Sequence, residues 1–293
     1  MTEMTCVVES KSLLGEGTFW DVRDNVLWWV DIWGKLIHRY DPATNRNESW
    51  SSPEYLGCLA VREGGGLIVS MTDGFHFFDP TTGAFDPIVD PEADMPDTRF
   101  NDGKTDRQGR FYSGTMFEAE GKPPRNIASL YRLDQDLSCH RLVEGIGCSN
   151  GLAWSPDSKT MYYADSRADR VWAWDFDPAS GAIENRRVFI DASTTGGVAD
   201  GATVDVDGCY WVTLPPASKV SRFDPAGKEM QTIVLPTDIP TCCSFGGKDL
   251  DILYVTSATL RRPEAQLAGQ PLAGGLFALD VGVKGLPEVR FKG

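Results

Sequence analysis

Histidine is scarce in this chain, with three (His38, His76 and His140) in 293 residues. That shortage removes His-rich metal sites and most of the Ser/His and Cys/His arrangements used in nucleophilic catalysis. Positive charge is short as well: 28 Lys and Arg stand against 42 Asp and Glu, a net charge of −14. Nucleic-acid binding rests on cationic contacts to phosphate, so no nucleic-acid partner is expected. No stretch approaches the roughly 20 apolar residues that cross a bilayer. The opening Met1-Thr2-Glu3-Met4-Thr5-Cys6 has an early acid and neither the basic nor the apolar region of an export signal. No membrane partner is expected, and the chain reads as cytoplasmic. The seven cysteines are odd in number and contain no Cys-x-x-Cys, which predicts reduced thiols rather than a disulfide frame. Any metal is then held mainly by oxygen.

A repeat is what the sequence does contain. A short β-rich run recurs as Leu27-Trp-Trp-Val, Leu67-Ile-Val-Ser, Phe111-Tyr-Ser-Gly, Met161-Tyr-Tyr-Ala, Tyr210-Trp-Val-Thr and Leu253-Tyr-Val-Thr, at spacings of 40, 44, 50, 49 and 43 residues. A period near 45 is a propeller-blade length. Each run is followed by a second strand ending on an aspartate: Asp41, Asp79, Asp134, Asp175, Asp224 and Asp280. Sequences such as Asp41-Pro-Ala-Thr and Asp224-Pro-Ala-Gly suit turns, so these aspartates read as structural. With an apolar strand before each run and a fourth strand after each aspartate, the chain reads as one all-β domain over residues 1–293. The expected fold is a six-bladed β-propeller with four antiparallel strands per blade. Cys6-Val-Val-Glu9 is left over as an isolated strand and is expected to join the last blade and close the ring.

In a propeller the first strand of each blade lines the central channel. Aligned 10 or 11 residues ahead of the recurring runs are Glu16, the Gly57-Cys58 region, Asn101, Asn150, Asp200 and Cys242. Four of these six carry side-chain oxygen. Carboxylates and amides aimed at one axis repel or stay unsatisfied unless a cation or polar ligand sits between them. A divalent ion meets that need: hard oxygen donors suit calcium, magnesium or manganese, and zinc or iron(II) also accept carboxylate. Asn-Gly and Asp-Gly are also strong turn formers, which is the competing reading of these dipeptides. Two insertions are expected over the same mouth. From run to closing aspartate most units need 12–14 residues, but the third needs 23 and the sixth 27. Such loops shape pockets.

Other motifs carry no chemistry. Gly147-Cys-Ser-Asn-Gly151 has the G-x-S-x-G form of a nucleophile elbow, but no histidine follows it and a strand does. Asp205-Val-Asp207-Gly208 lacks the remaining ligands of a calcium loop and reads as a hairpin turn. Cys242-Cys243 reads as a buried pair, His38 and His76 as surface or packing residues, and the nine tryptophans as core between blades.

Taken together, Gly15-Glu-Gly17, Arg99-Phe-Asn-Asp-Gly-Lys104, Gly114-Thr-Met116, Ser149-Asn-Gly151, Asp200-Gly201, Thr241-Cys-Cys-Ser-Phe-Gly-Gly247 and Ala273-Gly-Gly-Leu-Phe277 resemble the regucalcin/gluconolactonase family, also called senescence-marker-protein-like. The resemblance covers essentially the whole chain. It implies a metal-dependent hydrolase that opens a sugar-acid lactone, its small-molecule partner, to the free acid. It implies Glu16, Asn150 and Asp200 as ligands of one divalent ion, Asp200 also as general base, and Arg99 and Asn101 as substrate-holding residues. Where family members often place a substrate-facing Glu after Gly-Thr-Met, this chain aligns Ala119, flanked by Glu118 and Glu120. Glu118 is the substrate-binding candidate of that loop. The family name keeps a calcium-binding regulatory propeller without turnover as an alternative, and the same metal apparatus suits another ester or an organophosphate. A monomer or weak dimer is expected.

Overall fold

A computed structural model of the chain describes residues 4–293. Its strands form six antiparallel four-stranded sheets set around one axis, a six-bladed β-propeller. In blade 1 the strands are Gly15–Asp21, Val26–Asp31, Leu36–Asp41 and Arg46–Ser51. The innermost strands of blades 2 to 6 are Leu56–Val61, Thr98–Thr105, Ser149–Trp154, Ala202–Val204 and Pro240–Gly246. The recurring runs are the second strands, as the period predicts. Inner strands are buried at every position because neighbouring blades cover both faces, whereas an outer strand such as Glu229–Val234 is mostly exposed.

Aromatic side chains fill every joint between blades. Trp50 meets Phe78, Phe75 meets Phe100, Tyr112 meets Trp154, Tyr162 meets Tyr210, and Trp211 meets Phe245. At the seam of the first and last blades Trp20 stacks on Tyr254 with centroids 5.6 Å apart. These offset and edge-on pairs add to the area they bury. The ring is closed by Met4–Val8, which pairs antiparallel with Leu276–Asp280, Met4 opposite Leu279 and Cys6 opposite Phe277. The closing strand thus starts two residues earlier than expected and ends at Val8.

The closing aspartates divide into two groups. Asp41, Asp79, Asp224 and Asp280 accept backbone N–H bonds from the turn two residues on. Asp175 instead accepts from Asn185 and Arg187, because its strand continues to Phe176 and Asp177 makes the turn. Asp134 pairs with Arg132, and Asp136 caps the following turn.

Residues 281–293 form a strap across the channel end opposite the site. Gly285 N donates to Leu250 O, Phe291 N to Val61 O and Lys292 N to Gly109 O. Glu288 reaches Lys104 Nζ at 2.8 Å, with Lys104 buried and Glu288 partly so. Among the described residues no helix is long and apolar enough to cross a membrane.

Candidate active site

The inner strands do not run straight past the channel mouth. Their pairing with the second strands slips between Glu16 and Phe19, between Phe100 and Gly103, and between Asn150 and Ala153. In blade 5 the inner strand begins only at Ala202, just after Asp200-Gly201. A bulge leaves residues unpaired and re-aims their side chains. Gly17 and Gly151 take φ of 59° and 61°, a left-handed conformation that glycine adopts freely. At Gly151 an added Cβ would collide with the hydroxyl of Tyr210, which itself donates to Gly151 O at 2.7 Å. The Glu-Gly and Asn-Gly pairs are therefore channel-facing bulges, not hairpin turns.

Glu16, Arg99, Asn101, Glu118, Asn150 and Asp200, the six residues singled out in the sequence, line one cavity of about 170 Å³ at the channel mouth. A larger hollow of about 610 Å³ lies between blades 4 and 5, but its charged residues, Asp157, Arg187 and Asp207, are solvent-exposed and do not converge.

A chain of hydrogen bonds fixes the polar wall. Arg99 Nη1 donates to Phe100 O at 2.9 Å and to Asn101 Oδ1 at 3.0 Å. Asn101 Nδ2 donates to Ser149 O at 2.9 Å and to Asn150 Oδ1 at 3.0 Å. Asn150 Nδ2 donates to Ser166 Oγ at 2.8 Å, and that hydroxyl donates to Ala199 O, next to Asp200. Each amide is held in one orientation, which presents defined donors and acceptors to the cavity.

The floor is acidic. Glu16 is buried, and Asp200 keeps some surface open to the cavity. The carboxyl of Glu16 is pushed well above the usual range by loss of water, then by the charges of Asp200 and Asp102. Asp200 is raised for the same reason, with Asp102 its main charged neighbour. Asp102 itself is raised to about 6 by burial, although it accepts a bond from Leu152 N at 3.2 Å. Among the described residues no Lys or Arg forms an ion pair with Glu16 or Asp200. Three oxygen donors from blades 1, 4 and 5 without a cationic side chain form a set that suits a hard cation.

Both insertions reach the mouth. Glu118, in the third-blade loop, accepts from Arg99 Nε and from Arg261 Nη2, the latter at 3.3 Å and from the sixth-blade loop. Glu120 is exposed, so Glu118 supplies this loop's carboxylate and Ala119 does not line the cavity. Sequence reasoning missed Asp102, Trp33, Leu260 and Arg261. Asp102 adjoins Asn101, and strict strand alternation would send it to the opposite face. The bulge between Phe100 and Gly103 leaves both unpaired with the second strand, so that Asn101 lines the cavity while Asp102 is buried against Leu152 N of blade 4. Trp33 lines the cavity and leans on Tyr55, which corrects the reading of every tryptophan as core.

The remaining motifs have structural roles. Ser149 of the G-x-S-x-G sequence is buried, with its hydroxyl against Gly114. Asp205 Oδ1 accepts from Asp207 N and Cys209 N, as a hairpin turn requires. Cys242 is buried against Thr18, and burial pushes its thiol far above the usual range. The seven cysteines are all unpaired.

Residues 14–259 match the model of the family described as SMP-30/Gluconolactonase/LRE-like region. Regucalcin of Danio rerio is 38% identical, covering 99% of each chain. The 6-deoxy-6-sulfogluconolactonase of Pseudomonas putida is 37% identical, again over 99% of each chain. The crystal structure of regucalcin from Agrobacterium tumefaciens, described as a calcium-binding protein, superposes with a TM-score of 0.92 at 28% identity, over 97% of this chain and 96% of that one. With the six-bladed ring, the bulged inner strands and these full-length matches together, the chain belongs to the SMP-30/gluconolactonase/LRE-like family.

Proposed function

We propose that this protein hydrolyses a sugar lactone to the free sugar acid in the cavity floored by Glu16, Asn150 and Asp200, with one divalent cation held by those three side chains. It is a hydrolase acting on cyclic esters. The observation that carries this reading is the convergence of two carboxylates and an amide oxygen from three blades, none of them matched by a basic side chain. Among the described residues no three His, Cys, Asp or Glu side chains are placed to share an ion. Asn150 lines the cavity and Asp102 does not, so the third donor in this proposal is the Asn150 amide oxygen. Such a set suits calcium, manganese or magnesium and also admits zinc or iron(II). The lactonase relative and the calcium-binding one support both halves of the proposal.

A lactone is an activated ester and needs no covalent nucleophile. The cation, when bound, supplies Lewis-acid polarisation of the carbonyl and a more acidic water. The chain's own groups do the rest. Asp200 accepts the proton of the attacking water as general base. Arg99, buried and braced by Glu118 and Asn101, offers its remaining donors to the ring or carbonyl oxygens. Asn101 and Glu118 meet sugar hydroxyls, while Trp33, Met116 and Leu260 exclude water from the sugar's less polar face.

Acid release from a panel of pentono- and hexonolactones tests this directly. Asp200→Ala should lose on the order of 10²–10⁴-fold in kcat/KM, and chelation should abolish turnover. Full activity in either case sinks the mechanism. The calcium-binding relative supports a second reading, a regulatory propeller without turnover. Tight cation binding with no hydrolysis of any lactone would select it.

A further inference from the structure

One side of the cavity mouth carries more positive than negative charge, against the grain of a chain with a net charge of −14. Arg99 and Arg261 share a single carboxylate, Glu118. Two cations thus face one acid at this part of the mouth.

Arg261 is the less committed of the two. Its side chain is 73% exposed and makes one bond, at 3.3 Å, to a carboxylate already held by Arg99. Its backbone is left-handed, with φ of 58°. The rest of its fork of N–H donors has no protein partner at the cavity mouth, and such a fork matches a carboxylate, sulfonate or phosphate. A neutral sugar would need hydroxyl acceptors and donors here, which Glu118, Asn101 and Arg99 already supply.

We propose that the substrate is a sugar lactone bearing an anionic group at its exocyclic end, and that Arg261 is the specificity-determining residue that reads this charge. The inference rests on the lactonase reading: the ester is seated on the acidic floor, so the opposite end of the sugar meets the arginine rim. Arg99 adds to the attraction without needing to touch the anion.

The test compares kcat/KM for D-glucono-1,5-lactone, which is neutral, with 6-phospho-D-glucono-1,5-lactone and D-glucaro-1,4-lactone, which carry a phosphate and a carboxylate. The variants are Arg261→Asn, since asparagine tolerates left-handed backbone, and Arg261→Lys. The wild-type protein is expected to favour at least one anionic lactone by about tenfold or more, which corresponds to one close charge contact. Arg261→Asn should lower that preference by about fivefold or more, and Arg261→Lys should restore most of it. The preference should also shrink as salt rises from about 20 to about 200 mM, where screening sets in. Equal losses on anionic and neutral lactones in Arg261→Asn, or a wild-type preference for the neutral lactone, overturn the proposal while leaving the lactonase reading intact. Failure of the wild-type protein to hydrolyse any of the three removes this inference, and failure across the whole pentono- and hexonolactone panel removes the lactonase reading with it.

Discussion

His38 shows what burial does to a titratable side chain away from the site. Its ring stacks on Trp29 at 4.7 Å, its Nδ1 accepts from Asn47 Nδ2, and its buried Nε2 has no partner. Burial lowers its pKa from 6.5 to about 4, only partly opposed by the charge of Asp31. Between these values the unfolded chain binds the proton and the folded chain does not, so stability falls as pH falls from about 6.5 to about 4. The full loss is on the order of 3 kcal/mol. His38→Phe keeps the stack and should remove most of that slope in urea midpoints measured across this window; an unchanged slope refutes the assignment. Gly151 makes a conformational counterpart. Gly151→Ala forces a left-handed alanine, at about 1–2 kcal/mol, and drives its methyl into Tyr210. A total loss above about 2 kcal/mol is expected, with weaker manganese binding by calorimetry. Gly83→Ala, also at positive φ but with nothing within 4 Å, is the control. Sequence alone named Glu16, Asn101, Asn150 and Asp200 because each leads an inner strand at a fixed offset from a visible repeat. It missed Asp102 because a bulge breaks the alternation by which strand faces are read.

At the scale of elements, legibility followed local pattern. Second strands declare themselves by β-branched and aromatic runs, and the N-terminal strand by having no sheet of its own to join. Both insertions were visible as excess length, but which side chains they would aim at the mouth was not, since Glu118 and Arg261 meet only through folding. The C-terminal strap left no signal at all. It is held by isolated bridges, Arg62 with Phe291 and Asp205 with Gly285, rather than by a paired strand, so it has no periodicity to detect. Its weight in the fold is nevertheless predictable from burial. Phe291 is fully buried against Phe111, and Arg290 pairs with Asp21 of blade 1. Phe291→Ala is expected to cost about 3–5 kcal/mol, read from denaturant midpoints. KM for the lactone should stay within about twofold under folding conditions, because the strap lies at the channel end away from the cavity. A large KM change with little loss of stability would mean that the strap couples to the site.

For the whole molecule, the placement of the proposed ligands matters more than their identity. Glu16 belongs to blade 1, Asn150 to blade 4 and Asp200 to blade 5, so no two neighbouring strands and no single blade can assemble the set. The unfolded chain offers no equivalent site, and a cation bound there stabilises only the closed ring. The gain follows mass action, about 2.7 kcal/mol at a hundred times the dissociation constant, which for a chain of this size raises Tm by roughly 4 °C. The surface complicates the measurement, because a net charge of −14 attracts divalent ions without any site. Two comparisons separate the effects. Sodium at matched ionic strength screens the surface alone, while Asp200→Ala removes a ligand and Glu16→Gln removes a ligand's charge, each changing the net charge by only one. The wild-type protein should show the calcium- or manganese-dependent rise in Tm and lose it to chelator, while both variants should melt at one temperature with or without the ion. A rise of equal size in Asp200→Ala would place the cation elsewhere on this acidic ring and would separate metal binding from the cavity altogether.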